Sequence, residues 1–248
     1  MGTTAMTLDI NTTQAYQALC GFLAHQLYDS PRQDTLRKLV EQRELLLEDP
    51  FYAVNATASQ ALYDELSAAA HEDGGEAGKG TLLAALRQDY TFLFKMVGVS
   101  HTSPYESVYR TDDRTVFGST TFEVRAAYEA FGLAVTEQGR EPEDHIGLEL
   151  LFMEQLFEKL ARQSEQGDTR QAAATLKALR SFLEEHLLVF GSALFQNIQV
   201  QAQSAYFKAV AALGESVLAS LGSLLEARPK AEAKPEPKAA TNKVASET

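Results

Sequence analysis

The sequence predicts an all-α fold, arranged as a single-domain helical bundle with a disordered C-terminal tail. Apolar residues recur at three- and four-residue steps, and no stretch alternates apolar and polar residues with a period of two. The chain has 248 residues, enough to bury roughly 70–75% of its unfolded surface in one core. We assign residues 1–225 to the helical domain. Residues 226–248 alternate Pro, Ala, Lys and Glu without apolar periodicity, which predicts the tail.

Capping residues mark where helices begin. Four times, such a residue is followed three positions later by Glu or Gln, the pattern of a capping box. The pairs are Ser30 with Gln33, Thr57 with Gln60, Thr120 with Glu123, and Asp168 with Gln171. Gly132 is placed to end the helix after Thr120 in a left-handed conformation. The predicted helices span residues 12–28, 31–48, 57–71, 80–97, 120–131, 142–164, 169–190 and 193–225, with loops at 72–80, 98–119 and 132–141.

The glycine-rich segment Gly74–Thr81 partly matches a phosphate-binding loop. Asp73 stands where that motif has its first glycine, and Gly80 stands where it has Ser or Thr. We therefore interpret the segment as a connector and expect no nucleotide site there. The loop 98–119 is long for a compact bundle, which favours a functional role.

Charge and composition exclude several classes of protein. The net charge is −12, which argues against a nucleic-acid partner, because such a partner requires a basic surface. A single cysteine, Cys20, excludes an internal disulfide. No apolar run approaches 18 residues, so we expect no membrane-spanning helix. The N-terminus lacks the apolar segment of a signal peptide, and we therefore expect a cytoplasmic protein.

The stretch Glu141–His145 puts acids and an imidazole at the start of a predicted helix. Pro142 suits the first helical position, and acids in the first turn are favoured by the helix dipole. Asn is a good cap, so we expect Asp144→Asn to cost little folding stability. His145 lies four residues before Glu149, on one helix face, but no metal-binding motif and no activated nucleophile accompany them. We expect no catalytic residue, no metal and no cofactor.

A second stretch, Asp89–Phe94, combines an acid with aromatic residues late in the fourth predicted helix. Tyr90 and Leu93 belong to an apolar stripe with helical spacing, which indicates core packing. Asp89 lies one position off this stripe. An acid beside exposed aromatic residues is also suited to holding a cationic, apolar peptide.

Five segments together resemble the TorD/DmsD/NarJ family of redox-enzyme maturation chaperones. The segments are DYTFLF (89–94), PYESVY (104–109), EPEDH (141–145), GLELLFMEQL (147–156) and HLLVFGSALF (186–195). The resemblance covers roughly residues 12–200. It implies an all-helical cytoplasmic chaperone that is not an enzyme. Such a protein binds the twin-arginine signal peptide of a molybdoenzyme precursor and assists molybdenum-cofactor insertion before export.

The resemblance also implies which residues bind the peptide. The candidates are Asp89, Tyr90, Leu93, Phe94, Tyr105, Glu106, Ser107, Glu141, Pro142, Asp144 and His145. The signal peptide carries two guanidinium groups followed by an apolar stretch. Its binding site on the chaperone should therefore place carboxylates beside an apolar groove. The implied partners are this signal peptide and the body of the reductase precursor, and a homodimer is left open. The alternatives are a metal- or acid–base-dependent hydrolase centred on His145 and a general helical adaptor.

Overall fold

The computed structural model describes residues 8–70, 82–96, 102–110, 116–135 and 141–229. The prediction of an all-α fold is confirmed, because these ranges contain helices, turns and one isolated antiparallel bridge, between Tyr105 and His145, but no strand. The helices are α1 Ile10–Tyr28, α2 Gln33–Glu41, α3 Phe51–Ala70, α4 Leu82–Tyr90, α5 Ser107–Arg110, α6 Ser119–Ala130, α7 Ile146–Glu165, α8 Thr169–Phe182, α9 Leu188–Gln201 and α10 Ala205–Leu224. A 3₁₀ turn covers Arg43–Leu47, and two π-turns cover Thr91–Lys95 and Leu183–Leu187.

The packing of α1 against α7 forms the centre of the fold. Gly147, at the start of α7, allows the close approach, since a Cβ there would lie 2.6 Å from the Cβ of Tyr28 and 3.1 Å from the carbonyl oxygen of Ala24. The fully buried side chains of Leu23 and Phe157 belong to the single core that these helices share with α3, α9 and α10. This contact brings the C-terminal end of α1 beside the predicted acidic stretch.

Helix α10 is long and apolar enough to cross a membrane by length and composition alone. Lys208 and Glu215 interrupt the apolar run of Ala205–Leu224, which is why the sequence alone did not mark this segment. Half of the apolar window is buried inside the protein, and Val210, Leu213 and Val217 are fully buried in the core. Among the described residues, the apolar character of α10 is that of a core helix.

One predicted helix break is displaced. The predicted break at residues 190–193 lies inside helix α9, where a Cβ on Gly191 would meet Leu218 at 2.4 Å. This glycine therefore serves close helix packing and does not end a helix. The true break is at residues 202–204, where the Asp89 carboxylate accepts hydrogen bonds from the backbone N–H groups of Gln203 and Ser204 at 3.2 and 2.9 Å.

Of the four predicted helix caps, only that of Asp168 is formed. Asp168 caps α8, with its Oδ1 accepting from the backbone N of Gln171 at 3.0 Å, and Gly132 has a positive φ of 72° after α6. Ser30, Thr57 and Thr120 cap nothing, because α2 starts at Gln33, α3 starts at Phe51 and α6 starts at Ser119. Near Thr57 the cap is Asn55, which has non-helical backbone angles inside α3 and accepts from the N–H of Ala58 at 3.0 Å.

Two predictions fall on residues outside the described ranges. The glycine-rich segment 74–81 is one, and residues 230–248 of the predicted tail are the other. The first residues assigned to the tail are described, and Ala227 packs in the core, with its N–H donating to the carbonyl of Gly222 at 2.8 Å. The predicted loop 98–119 contains the short helix α5, which lies at the candidate site.

Candidate functional site

Helix α7 begins at Ile146, so the prediction that Pro142 occupies its first position is wrong. His145 is the capping residue, and its Nδ1 accepts a hydrogen bond from the backbone N–H of Gly147 at 3.0 Å. The reason lies in the segment before it. The N–H of Glu106 donates to the carbonyl of Asp144 at 2.9 Å, and that of Ile146 donates to the carbonyl of Pro104 at 2.8 Å. This pairing holds residues 142–145 in an extended turn.

Asp144 binds groups inside the protein. Its side chain is fully buried. One carboxylate oxygen accepts from the backbone N–H of Ser107 and the other accepts from the hydroxyl of Thr121, both at 2.8 Å. Asp144 therefore joins α5 and α6 to the start of α7. Because both carboxylate oxygens are used in charge-assisted hydrogen bonds within the protein, the role of Asp144 is structural.

Glu143 makes a second tie, to α6. Its buried carboxylate receives two hydrogen bonds from Arg125, at 2.8 and 2.9 Å, and its backbone carbonyl accepts from the hydroxyl of Tyr128 at 3.0 Å. This is the bidentate geometry in which guanidinium and carboxylate groups pair most strongly. The guanidinium on this carboxylate thus comes from the chain itself.

Glu106 and Glu149 form a buried carboxyl pair, both fully inaccessible. Glu106 accepts from His186 at 2.9 Å and is paired with Arg110 at 2.5 Å. Apart from the adjacent carboxylate of Glu106, the carboxyl oxygens of Glu149 have no hydrogen-bond partner among the described residues. Burial raises the pKa of Glu149 well above its ordinary value of 4.5, and the adjacent carboxylates of Glu106 and Asp144 raise it further. Burial and the adjacent carboxylates therefore favour the protonated, neutral form of Glu149.

His145 lies between two aromatic rings and is neutral. The rings of Tyr28 and Tyr105 meet it edge-on, with centroids at 5.2 and 5.3 Å. Burial lowers the pKa of His145 to about 3, and Lys95 acts in the same direction. An imidazole with this pKa does not exchange protons near neutral pH. The described residues also contain no group of His, Cys, Asp and Glu side chains arranged to hold a metal ion.

Tyr105 and Glu141 form the accessible edge of the site. The Tyr105 hydroxyl donates to a carboxylate oxygen of Glu141, whose side chain is 26% exposed. Lys95, half exposed, lies 3.7 Å from the same carboxylate. Among the acidic site candidates, Glu141 alone presents a partly exposed carboxylate to a cation from outside.

The predicted residues 89–94 divide between two places. Asp89 is buried at the N-terminal end of α10, where the hydroxyl of Ser204 also donates to it at 2.6 Å. Leu93 and Phe94 are buried in the core. Only Tyr90 reaches the other candidates, with its hydroxyl donating to the carbonyl of Tyr28 at 2.6 Å. Burial and the nearby Glu141 raise the pKa of Tyr90.

An apolar pocket of about 340 Å³ connects to this site through Tyr28. Tyr28, whose ring contacts His145, is part of its wall. The other lining residues are Tyr128, Leu133, Ala134, Val135, Leu148, Leu151, Phe152 and Gln155. A row of contacts therefore runs from Glu141 through Tyr105 and His145 to Tyr28 and this pocket. It joins a surface carboxylate to an apolar cavity.

Sequence reasoning missed several residues of this arrangement. Tyr28 is 117 positions before His145 in the sequence, and no local pattern joins them. Arg125 lies in a segment with the composition of an ordinary surface helix, so no local pattern marks it as a partner of Glu143. Glu149 did carry a signal, because it follows Ile146 by three residues and precedes Met153 by four, which places an acid on an apolar helix face.

The chain is similar to a described protein family. The chain matches the family described as nitrate reductase delta subunit over residues 53–196, more than half of its length. The chain belongs to this family. The match spans α3 to most of α9 and therefore includes Asp89, Glu106 and the stretch 141–145. The resemblance to the TorD/DmsD/NarJ chaperones is thereby confirmed.

Two proteins that are similar to this chain are named as chaperones. The chain is 27% identical over 128 residues to a probable Tat proofreading chaperone, DmsD, of Haemophilus influenzae, covering 52% of this chain and 56% of that protein. It is 32% identical over 105 residues to the chaperone protein TorD of Vibrio cholerae, covering 42% and 46%. The chain thus spans about half the length of the curated relatives it matches. The prediction that it is not an enzyme agrees with the family and these names.

Proposed function

We propose that this chain is a cytoplasmic chaperone that binds the twin-arginine signal peptide of a molybdoenzyme precursor. It would hold the precursor until the molybdenum cofactor is inserted and export can follow. Family membership and the names of its relatives, one a probable Tat proofreading chaperone and the other a chaperone protein, support this proposal. The observation that carries it is the row of contacts from Glu141 to the apolar pocket beside Tyr28.

The peptide's chemistry matches the two ends of this row. An arginine of the peptide would replace Lys95 on the Glu141 carboxylate, where the existing pair is exposed and therefore weak, about 0–1 kcal/mol. The apolar residues that follow would enter the pocket walled by Tyr28, Leu148 and Leu151. Tyr105 would contribute its ring face, on which a guanidinium can stack.

The buried candidates have a supporting role in this proposal. Asp144 and Glu106 are fully buried and already bonded inside the protein. They would position the Tyr105 segment without touching the peptide. His145 would keep Tyr28 and Tyr105 in place as a neutral spacer between their rings. Asp89, at the start of α10, would hold α4 and so the hydroxyl of Tyr90.

Filling the pocket tests the proposal. Ala134 is exposed and lines the pocket, so Ala134→Trp blocks it without disturbing the core. A fluorescent peptide with two adjacent arginines and an apolar stretch should bind Ala134→Trp at least about tenfold more weakly than wild type. The matched control is Ala173→Trp, at an exposed position of α8 that lines none of these cavities. Equal affinity of the two variants would exclude the pocket as the peptide site.

A further inference from the structure

A second apolar groove, of about 580 Å³, lies between α6 and the helix pair formed by α8 and the second π-turn. Phe152 lines both this groove and the pocket beside Tyr28. The floor consists of the rings of Phe131, Phe152 and Phe182, which contact one another at centroid distances of 5.9 and 4.7 Å. Alanine side chains, at positions 126, 127, 130 and 178, form the walls. Their small size leaves the aromatic floor open to a partner.

The groove is preformed because hydrogen bonds hold α6 against the segment before α7 and not against α8. Arg125 and Tyr128 bind Glu143, and Thr121 binds Asp144. All these bonds join α6 to the segment before α7, and none of them joins α6 to α8. Closing the groove by moving α6 towards α8 would break this buried network, whose polar groups would then lack partners. With α6 held in this position, an unfilled apolar space remains between α6 and α8.

The charges around the groove select the sign of its partner. Glu123 is exposed on α6 and forms no ion pair among the described residues, and Glu185 lies across from it on the π-turn. Arg110, the arginine among the described lining residues, is already paired with Glu106 and donates to the carbonyl of Glu185. His186 is bonded to the same Glu106 carboxylate. Among the described residues at the rim, the exposed charge without an ion pair is that of Glu123, which is negative.

We propose that this groove is a second docking site, which binds an amphipathic helix with an apolar face and Lys or Arg at one end. The groove-lining residues of α6 and its C-terminal cap run from Glu123 to Phe131 and span roughly 12 Å at 1.5 Å per residue. That length matches three anchor positions of a helix, i, i+3 or i+4, and i+7. The apolar anchors lie on the phenylalanine floor, and the cation pairs with Glu123. The site is independent of the surface around Glu141.

A designed peptide tests this proposal. The probe is a fluorescent 18-residue helix with Leu at the anchor spacing of one face and two Lys at one end. Its control has the same composition with the Leu positions scrambled, so that charge is retained and the apolar face is lost. We expect the probe to bind the full-length protein and the scrambled peptide to bind at least about tenfold more weakly. Equal binding of the two peptides would contradict the proposal.

Substitutions locate the binding. Ala130→Trp, at an exposed groove position, should weaken probe binding at least about tenfold, whereas Ala173→Trp should leave it unchanged. Glu123→Gln should weaken it by about two- to threefold, with Glu129→Gln on the same helix as the control. Glu141→Gln should leave it unchanged, which separates this site from the proposed signal-peptide site. Circular dichroism confirms that each variant is folded. If Ala130→Trp binds the probe as tightly as wild type does, the assignment of the groove as its binding site is wrong.

Two other occupants would also overturn it. If the protein sediments as a dimer that Ala130→Trp converts to monomer, the groove belongs to a second copy of this chain. If a synthetic peptide of residues 230–248 displaces the probe from wild type but not from Ala130→Trp, the groove belongs to the chain's own C-terminal segment. Binding of the probe to a monomer, without competition from that peptide, supports a separate helical partner.

Discussion

Glu141 and Asp144 lie three residues apart, and their environments differ in every respect. Asp144 is fully buried and accepts two hydrogen bonds from other segments. Glu141 is part-exposed, with a tyrosine hydroxyl on one side and a surface lysine on the other. One short acidic stretch therefore contains both the framework of the site and its accessible edge. Number and proximity of acids do not distinguish the two roles, but the partners of each acid do.

The largest expected difference between the two positions is in stability. Asp144→Ala leaves the Ser107 N–H and the Thr121 hydroxyl buried without an acceptor, so it should lower the unfolding free energy by about 2–4 kcal/mol. Glu141→Ala removes one part-buried hydrogen bond and an ion pair with a half-exposed lysine, and leaves no buried group without a partner, so it should cost less, about 1 kcal/mol. Urea denaturation of both variants measures this. Equal losses would remove the distinction between framework and edge.

The same contacts correct the expectation for Asp144→Asn. An amide keeps one acceptor oxygen, but it places an NH₂ group against either the Ser107 N–H or the Thr121 hydroxyl. We therefore expect Asp144→Asn to destabilise the protein as well. It cannot serve as a test of peptide binding alone, because the loss of binding would follow from a disturbed framework.

His145 gives the framework a dependence on acid pH. Its pKa in the folded protein, about 3, is below the ordinary value of 6.5. The stability from keeping it neutral is therefore present above pH 6.5 and is lost as the pH falls below it. Between pH 6.5 and pH 5 this amounts to at most about 2 kcal/mol. His145→Asn retains a capping side chain and does not titrate, so its denaturation curves should lose less stability over this range than those of wild type.

Glu149 acts with the opposite sign. Its pKa is raised above 4.5 by burial and by Glu106 and Asp144, while Arg110 lowers it; Tyr128 is a further buried neighbour. Its contribution to stability is full below pH 4.5 and declines as the pH rises towards its folded pKa, by at most about 1.4 kcal/mol per pH unit. Glu149→Gln should remove this decline. Glu165→Gln, at an exposed position of the same helix, should retain it; identical pH profiles for Glu149→Gln and wild type would contradict a buried neutral carboxyl group.

The sequence predicted the architecture better than the site. Apolar periodicity identified the all-α fold, and the start of α8 at Asp168 followed from local capping. The position of the helix break after α9 did not, because it depends on Asp89, which is more than 100 residues earlier. The family resemblance identified the stretch 141–145 as a candidate site, and the structure pairs this stretch with residues 104–107. The resemblance did not reveal that Asp144 is buried, since burial depends on how residues 104–107 return to pair with it.

The smallest expected effect concerns binding, at the exposed edge itself. Glu141→Gln should weaken binding of the twin-arginine peptide by about 0.2–1 kcal/mol, the range of an exposed ion pair. The weakening should diminish at high salt, because screening reduces the same interaction in wild type. Glu165→Gln, which removes one charge at the far end of α7, controls for net charge.

A double-mutant cycle tests most directly whether Glu141 binds an arginine of the peptide. It combines wild type and Glu141→Gln with a peptide carrying the arginine pair and one in which both arginines are replaced by Gln. Isothermal titration at low salt gives the four affinities, from which the coupling energy follows. We predict a favourable coupling of about 0.2–1 kcal/mol for Glu141, and none for Glu165→Gln in its place. A coupling of zero at Glu141, with tight binding retained, would contradict the account.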